Sequence, residues 1–362
     1  MEKIKKFFEC LIPISNCNLK CSYCYVIQEN RRDSGNVPFK LPPKEIARAF
    51  SKKRIGGTAL INLCGFGETM IVKELPEIIM YLLREGHFVN VTNNGTITKN
   101  LEKTISLSKE YCNHLSFSFS LHYVELKNKK LLDVFARNVR MVKNAGCSVV
   151  LQLNLCDEYI DIVDEIKTYC LEEFGYLPQV ALTRKENKFD YEIMTNYGEK
   201  RYVEVARQFE SSLFEFTYQN FNKKRKEFCY AGDWSFKVDL ATGDLKSCNF
   251  SKPHFNLYDD INAPIKKSTI GHCCLSDYCV NSSHYLSLGD IPELKTPSYA
   301  ALRKRNNNYV PEMEQFLSQK LKENNQEYSF KQKISTDVSQ FIIQLPKRGK
   351  RVIKKIFRGK LV

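Results

Sequence analysis

Three cysteines near the amino terminus, Cys17-x3-Cys21-x2-Cys24 in the run Ser15-Asn16-Cys17-Asn18-Leu19-Lys20-Cys21-Ser22-Tyr23-Cys24-Tyr25, have a spacing that suits a cluster rather than a disulfide. Three thiolates on one short loop hold three irons of a [4Fe–4S] cube and leave the fourth iron open to an outside ligand. An open iron points to chemistry. Four protein ligands would close the site, by the same logic that separates structural from catalytic zinc. Zinc and unrelated buried thiols are the alternative readings of the three cysteines alone.

A loop of this kind must be carried by something rigid, and the first half of the chain alternates strand-like and helix-like segments as a parallel α/β fold requires. Phe8–Ile14 reads as a strand delivering the cysteine loop, and Pro43–Lys53 as a helix. Ala59–Leu63, Phe88–Thr92, Leu115–Leu121, Cys147–Leu155 and Gln179–Thr183 read as further strands, separated by helices at Pro76–Arg84, Asn100–Tyr111, Lys130–Lys143 and near Ile160–Glu173. Six such units fit a partial, open (β/α)6 barrel of the TIM type, whose sites lie on loops after the C-terminal ends of strands, and periodicity alone does not separate it from a doubly wound sheet; the barrel is what the family resemblance given below implies.

Composition bounds the class. With 362 residues the chain has material for one large domain and a smaller one, and its hydrophobic fraction of 43% is that of an ordinary soluble protein. Fourteen cysteines without a signal peptide, since Met1-Glu2-Lys3-Ile4-Lys5-Lys6 leads directly into the first strand, suggest a reduced cytoplasm in which thiols serve as metal ligands and buried side chains. No apolar stretch is long enough to span a bilayer. The net charge of +14 raises nucleic acid and membrane partners. Much of it sits in a tail that carries Lys347, Arg348, Lys350, Arg351, Lys354, Lys355, Arg358 and Lys360 without one acid, so the body is closer to neutral.

At the cysteine loop the sequence resembles the radical SAM superfamily, whose hallmark is C-x3-C-x2-C with an aromatic residue before the last cysteine, here Tyr23. The resemblance implies a [4Fe–4S] cluster on Cys17, Cys21 and Cys24 whose open iron binds S-adenosylmethionine (SAM). Reductive cleavage of SAM would yield a 5′-deoxyadenosyl radical that abstracts hydrogen from a substrate. The electron would come from an external donor such as flavodoxin or ferredoxin. Gly65-Phe66-Gly67-Glu68-Thr69, after the second strand, looks like the family's Gly-Gly-Glu-Pro segment that holds the methionine amine, although Phe66 and Thr69 depart from its commonest form. Asn94, within Thr92-Asn93-Asn94-Gly95-Thr96, is similar to the segment lining the adenosyl pocket, and also fits an ordinary Asn-Gly turn. Ser120 ends the fourth strand where relatives place a serine near the ribose or carboxylate. Strand alternation puts Ser116, Ser118 and Ser120 on one face, so simple barrel lining competes. His122 reads as a satisfied structural histidine. Arg184, just past the sixth strand, is either an anion ligand or a surface arginine.

Beyond the barrel, Cys229 followed by Gly243-x4-Cys248, then Cys273-Cys274 and Cys279, resembles the SPASM or twitch extension that holds auxiliary iron–sulfur clusters. Phe236–Leu240 and Leu245–Ser247 flank a turn at Ala241-Thr242-Gly243-Asp244, a hairpin that brings Cys229 and Cys248 toward each other. Neighbouring cysteines seldom both ligate one cube, so the set is Cys229, Cys248, Cys279 and one of Cys273 or Cys274. The full pattern of seven cysteines is not met, because Ile270 and Ser283 occupy two of its positions, and a single auxiliary [4Fe–4S] cluster is the better match. Zinc suits four thiolates equally well. Cys10, Cys64, Cys112, Cys147, Cys156 and Cys170 read as inert buried thiols.

These readings divide the chain into a radical SAM core (1–215), a cysteine-bearing extension (216–295), and a helical region with a basic amphipathic tail (296–362). The tail joins Phe341, Ile342, Ile343 and Leu345 to Val352, Ile353, Ile356 and Phe357 among cations, a pattern that suits an anionic membrane surface at the inner face. It has too few aromatics for a single-stranded nucleic acid platform, and no nucleic acid partner is expected. A saccharide or lipid-linked saccharide of cell-surface polysaccharide synthesis is the first substrate expectation, since a tail on a membrane surface would meet lipid-linked sugars and the segment around Leu288–Arg305 resembles radical SAM proteins loosely associated with such synthesis; the start of the chain almost at its first strand argues mildly against a peptide. Maturation of a ribosomally made peptide is second, and a non-enzymatic metal-stabilised adaptor is third.

Overall fold

The computed structural model describes residues 2–32, 35, 37–185 and 191–358, with side chains through residue 345. Six strands, β1 (Ile4–Ile12), β2 (Thr58–Gly65), β3 (Phe88–Asn93), β4 (Leu115–Ser120), β5 (Ser148–Asn154) and β6 (Gln179–Ala181), pair in chain order and all parallel. A strand pair β7 (Arg184–Lys185) and β8 (Glu192–Ile193) follows. The expected hairpin forms as β9 (Ser235–Asp239) and β10 (Asp244–Lys246), with β11 (Phe255–Asn256) beyond it. Sequence alone did not show that β9 lies parallel to β1, so the extension continues the barrel sheet in the order β11-β10-β9-β1-β2-β3-β4-β5-β6.

Period-two alternation sorts the side chains. Phe8, Cys10, Ile61, Leu63, Val89, Val91, Phe117 and Leu151 point outward, into the core shared with helices such as Pro43–Ala49 and Leu75–Arg84. The opposite face is polar at mid-strand. Glu9 pairs in register with Asn62, and Asn62 with Asn90; Asn90 donates to Asn62 Oδ1 at 2.7 Å, and Ser118 donates to Asn90 Oδ1 at 3.1 Å. Nearer the strand starts this face becomes apolar again, with Phe7, Leu60, Phe88 and Val150.

That apolar end is covered by the C-terminal third. Tyr285, Leu288, Tyr299, Tyr309, Met313, Phe316 and Leu317 pack against Phe7, Leu60, Phe88 and Val150, and the Phe88 and Phe316 rings stack at 3.8 Å. Two short helices, Pro311–Leu317 and Leu321–Asn324, seat this plug. The final helix, Phe330–Arg358, leaves Ile334, Val338, Ile342 and Leu345 exposed. The apolar positions Val352, Ile353, Ile356 and Phe357 lie beyond the described side chains. Among the described residues, no helix is long and apolar enough to cross a membrane.

Candidate active site

The cysteine loop leaves β1 at Ile12 and is held on three sides. Gly67 and Glu68, on the loop after β2, donate their backbone N–H groups to the carbonyls of Ile14 (2.5 Å) and Asn16 (2.9 Å), immediately before Cys17. Asn94, after β3, reaches Asn18 Oδ1 at 2.8 Å and Cys17 Sγ at 3.8 Å. Glu125, in the helix after β4, accepts from the Lys20 N–H at 2.7 Å. Arg32 donates to the Cys17 carbonyl at 2.7 Å.

Cys17, Cys21, Cys24, Gly65, Phe66, Gly67, Glu68, Asn94 and Ser120 all line one cavity of about 420 Å³ at the C-terminal ends of the strands. Every residue the sequence placed in the first site therefore meets in one place. The donor set is three soft thiols at the rim of a cavity, which fits iron with an open position. Burial pushes the Cys17 thiol up, and Cys21 to about 12, so both are protonated until iron displaces the proton. Among the described residues, no three His, Cys, Asp or Glu side chains converge on a single metal ion. In a cube each thiolate binds its own iron, so its ligands need not share one metal atom.

Glu68 is 3% exposed and uses both carboxylate oxygens on backbone, accepting from Met70 N–H and Asn94 N–H at 2.8 Å each. It ties the second and third loops together. Burial raises its carboxyl to about 7 against the pull of those two donors. A raised carboxyl stabilises the fold most below its ordinary pKa, and that contribution is lost as pH rises through 7. Thermal melts of the metal-free protein should therefore show the stability difference between parent and Glu68→Gln shrinking from about pH 5 to about pH 8, by on the order of 2 kcal/mol. A difference that is constant or grows would refute the raised carboxyl.

The two readings of the Asn-Gly turn both hold geometrically. Gly95 sits at φ 73°, and its N–H donates to Asn93 Oδ1, while the Asn94 side chain reaches the cysteine loop. Ser118 and Ser120 line the cavity on one face, and Ser118 is engaged with Asn90. His122 is half-buried and lines the same cavity; its Nδ1 lies 2.6 Å from Tyr23 OH, and desolvation pushes the imidazole down to about 4. Tyr23 OH also meets Tyr159 OH at 3.2 Å, a partner the sequence did not suggest. Arg184 lines the cavity with its guanidinium 5.6 Å from the Tyr191 ring centre.

Sequence reasoning missed the polar interior and the plug. Asn62, Asn90, Gln152 and Asn154 line the cavity, as do His284, Tyr299 and Arg303 from the C-terminal third. Asn62 and Asn90 were detectable as polar residues breaking apolar strands in one register. The plug residues carry no local signal.

The second cysteine set lies apart from this cavity. Cys229 pairs by backbone with Gly271; burial pushes the Cys229 and Cys279 thiols up, and the nearby charges of Cys274 and Cys279 on the first, and of Cys274 and Cys248 on the second, push the same way. Cys229, Cys248, Cys274 and Cys279 border the same apolar cluster as Tyr230, Trp234 and Tyr285. The Cys273 thiol donates to the Asp337 carbonyl of the final helix at 3.5 Å.

Residues 11–157 match the family model described as the Radical SAM superfamily. Among solved structures, the fold is similar to SuiB of Streptococcus suis, at 13% identity over 71% of this chain with a TM-score of 0.51. SuiB bound to S-adenosylmethionine is similar at 14% identity, with the same coverage of this chain and the same TM-score. The match spans 64% of the SuiB chain. The cysteine loop and the parallel sheet that carries it lie within the segment, residues 11–157, that matches the Radical SAM superfamily model, so this part of the chain carries a radical SAM domain.

Proposed function

We propose that Cys17, Cys21 and Cys24 hold the [4Fe–4S] cluster, and that Gly65, Phe66, Gly67, Glu68, Asn94 and Ser120 form the wall against which SAM lies. The observation that carries this is the convergence of all nine residues on one cavity. When bound, the cluster and SAM supply a carbon radical able to take hydrogen from an unactivated position, which no side chain can do. The chain's own residues do the positioning. Gly67 and Glu68 fix the start of the cysteine loop through main-chain hydrogen bonds, Asn94 holds its middle, and the polar row Glu9, Asn62, Asn90 gives the cavity a hydrogen-bonding floor for substrate. Anaerobically reconstituted protein given SAM and dithionite should release 5′-deoxyadenosine; no release from iron-loaded protein overturns the reading.

Cys229, Cys248, Cys274 and Cys279 are proposed to hold an auxiliary [4Fe–4S] cluster. Cys274 is chosen over Cys273 because Cys273 is turned to the final helix. Iron and sulfide analysis should give about eight irons for the parent and for Cys273→Ala, and about four for Cys274→Ala. Equal iron in the two single variants would contradict the choice. Zinc in place of iron would contradict the cluster.

For substrate we place a ribosomally made peptide ahead of the saccharide favoured on sequence. SuiB, whose fold this chain resembles, has been solved with its precursor peptide SuiA. Nothing in the cavity selects a sugar over an amino acid, since carboxamides and hydroxyls serve both. The electron is proposed to come from a flavodoxin or ferredoxin. Contact with an anionic membrane is proposed for the exposed apolar side chains Ile334, Val338, Ile342 and Leu345 with the cations that follow them.

A further inference from the structure

The end of the cavity farthest from the cysteine loop is built by the C-terminal plug. His284 stacks on Phe7 with ring centres 5.8 Å apart, and Phe7 lies five residues before the end of β1, roughly 17 Å along the strand from the cysteine loop. Arg303 lines this end of the cavity and is 3% exposed. Its guanidinium lies 3.6 Å from the Tyr299 ring centre and donates to two carbonyls, of Tyr299 at 3.3 Å and Ser283 at 3.1 Å.

A guanidinium has five N–H donors and always carries its charge. Burying that charge without an acid is costly, and arginine is almost never fully buried unless paired. Among the described residues no carboxylate forms an ion pair with Arg303. Glu9, which lines the same cavity, is already engaged: it accepts from Asn281 at 2.6 Å and Tyr285 at 3.4 Å, and lies 3.8 Å from Lys237. The neighbouring His284 is half-buried and held well below its usual pKa, first by desolvation and then by the Arg303 charge, so it stands beside the guanidinium as a neutral ring.

We propose that Arg303 is the anchor for an oxyanion, a carboxylate or a phosphate, carried by the substrate of this site. The inference rests on the function proposed above and specifies its substrate: a molecule with a negative group placed across the cavity from the carbon that reacts. Two carbonyls occupy part of the guanidinium fork, and the other donors are available to an oxyanion entering the cavity, where low dielectric strengthens a charge-assisted pair. Stacking on Tyr299 and the bond to Ser283 hold the fork in place beforehand, so little freedom is lost on binding.

Calorimetric titration of the reconstituted protein with inorganic phosphate, and separately with N-acetylglycine, tests this. Saturable binding of at least one probe is expected, weakened about tenfold or more in Arg303→Gln. Arg303→Lys, which keeps the charge but not the fork, should weaken it several-fold and guards against misfolding of the glutamine variant; iron content and circular dichroism report whether each variant folds. Binding of phosphate alone points to a phosphorylated substrate, and of N-acetylglycine alone to a carboxylate. Failure of both probes to bind the parent, or equal binding by a folded Arg303 variant, overturns the proposal. Absence of SAM cleavage by a parent that still binds the probes would strike the cluster reading instead.

Discussion

Replacing any one of Cys17, Cys21 or Cys24 with alanine should cut reductive cleavage of SAM by far more than a hundredfold, to the level of a protein-free control. Losing an outer-shell partner of a metal site costs about 10- to 100-fold, and a direct ligand costs more. With two thiolates left, the cube has two iron corners without protein and no defined open one. The structure sharpens the expectation, because the three thiols lie on one loop whose shape is set by hydrogen bonds to three other loops, while the other thiol lining this cavity, Cys64, is carried on β2 and not on that loop. Cys170→Ala is the control: Cys170 is fully buried in the helix Val163–Phe174, so its loss should lower stability by about 1 kcal/mol and leave cleavage intact. 5′-Deoxyadenosine release under strong reductant, normalised to iron content, is the measurement. A single alanine variant that cleaves at the parental rate would show that these cysteines are not the ligands.

The second large effect should come from a residue with no side chain. Gly67 has its backbone N–H on the Ile14 carbonyl, and a Cβ built there falls on the Asn16 carbonyl and the Ser15 main chain, well inside contact distance. Those atoms are backbone, and they lead directly into Cys17. Gly67→Ala must therefore push the cysteine loop away from the second-strand loop, breaking the Gly67–Ile14 and Glu68–Asn16 bonds together. A penalty of about 3 kcal/mol or more in stability is expected, with SAM cleavage reduced by about a hundredfold. Gly175→Ala is a useful contrast, since a Cβ there meets nothing and only its φ of 77° opposes the change. If Gly67→Ala kept both stability and cleavage, the close approach of the two loops would not exist in solution.

How much of this was legible in the sequence depends on how local the signal is. The six parallel strands, the cysteine loop and the loops after β2, β3 and β4 follow from alternation and from turn residues within a few positions of each other, and they stand where expected. The contact that separates Cys273 from Cys274 in the proposed set was not legible, because it is made with the Asp337 carbonyl, 64 residues downstream. Nor was the parallel docking of β9 on β1, which depends on Ser235–Asp239 matching Phe7–Leu11 in register across more than two hundred residues. The plug is the clearest gap. Tyr299, Arg303 and Phe316 look like ordinary residues of a helical region, and only the apolar lower face of the barrel, Phe7, Leu60, Phe88 and Val150, calls for something to cover it. Open barrels leave such a face, so an apolar layer below a polar one on the same strand face is the pattern that points to a plug.

The central claim is an iron with a free coordination position on the loop Cys17–Cys24. Electron paramagnetic resonance of the reduced, reconstituted protein, recorded with and without SAM labelled at its amino nitrogen and carboxylate, tests it most directly. SAM should shift the cluster signal, the label should couple to it, and the effect should survive in Cys274→Ala. A signal indifferent to SAM, with no coupling to either label, would contradict it.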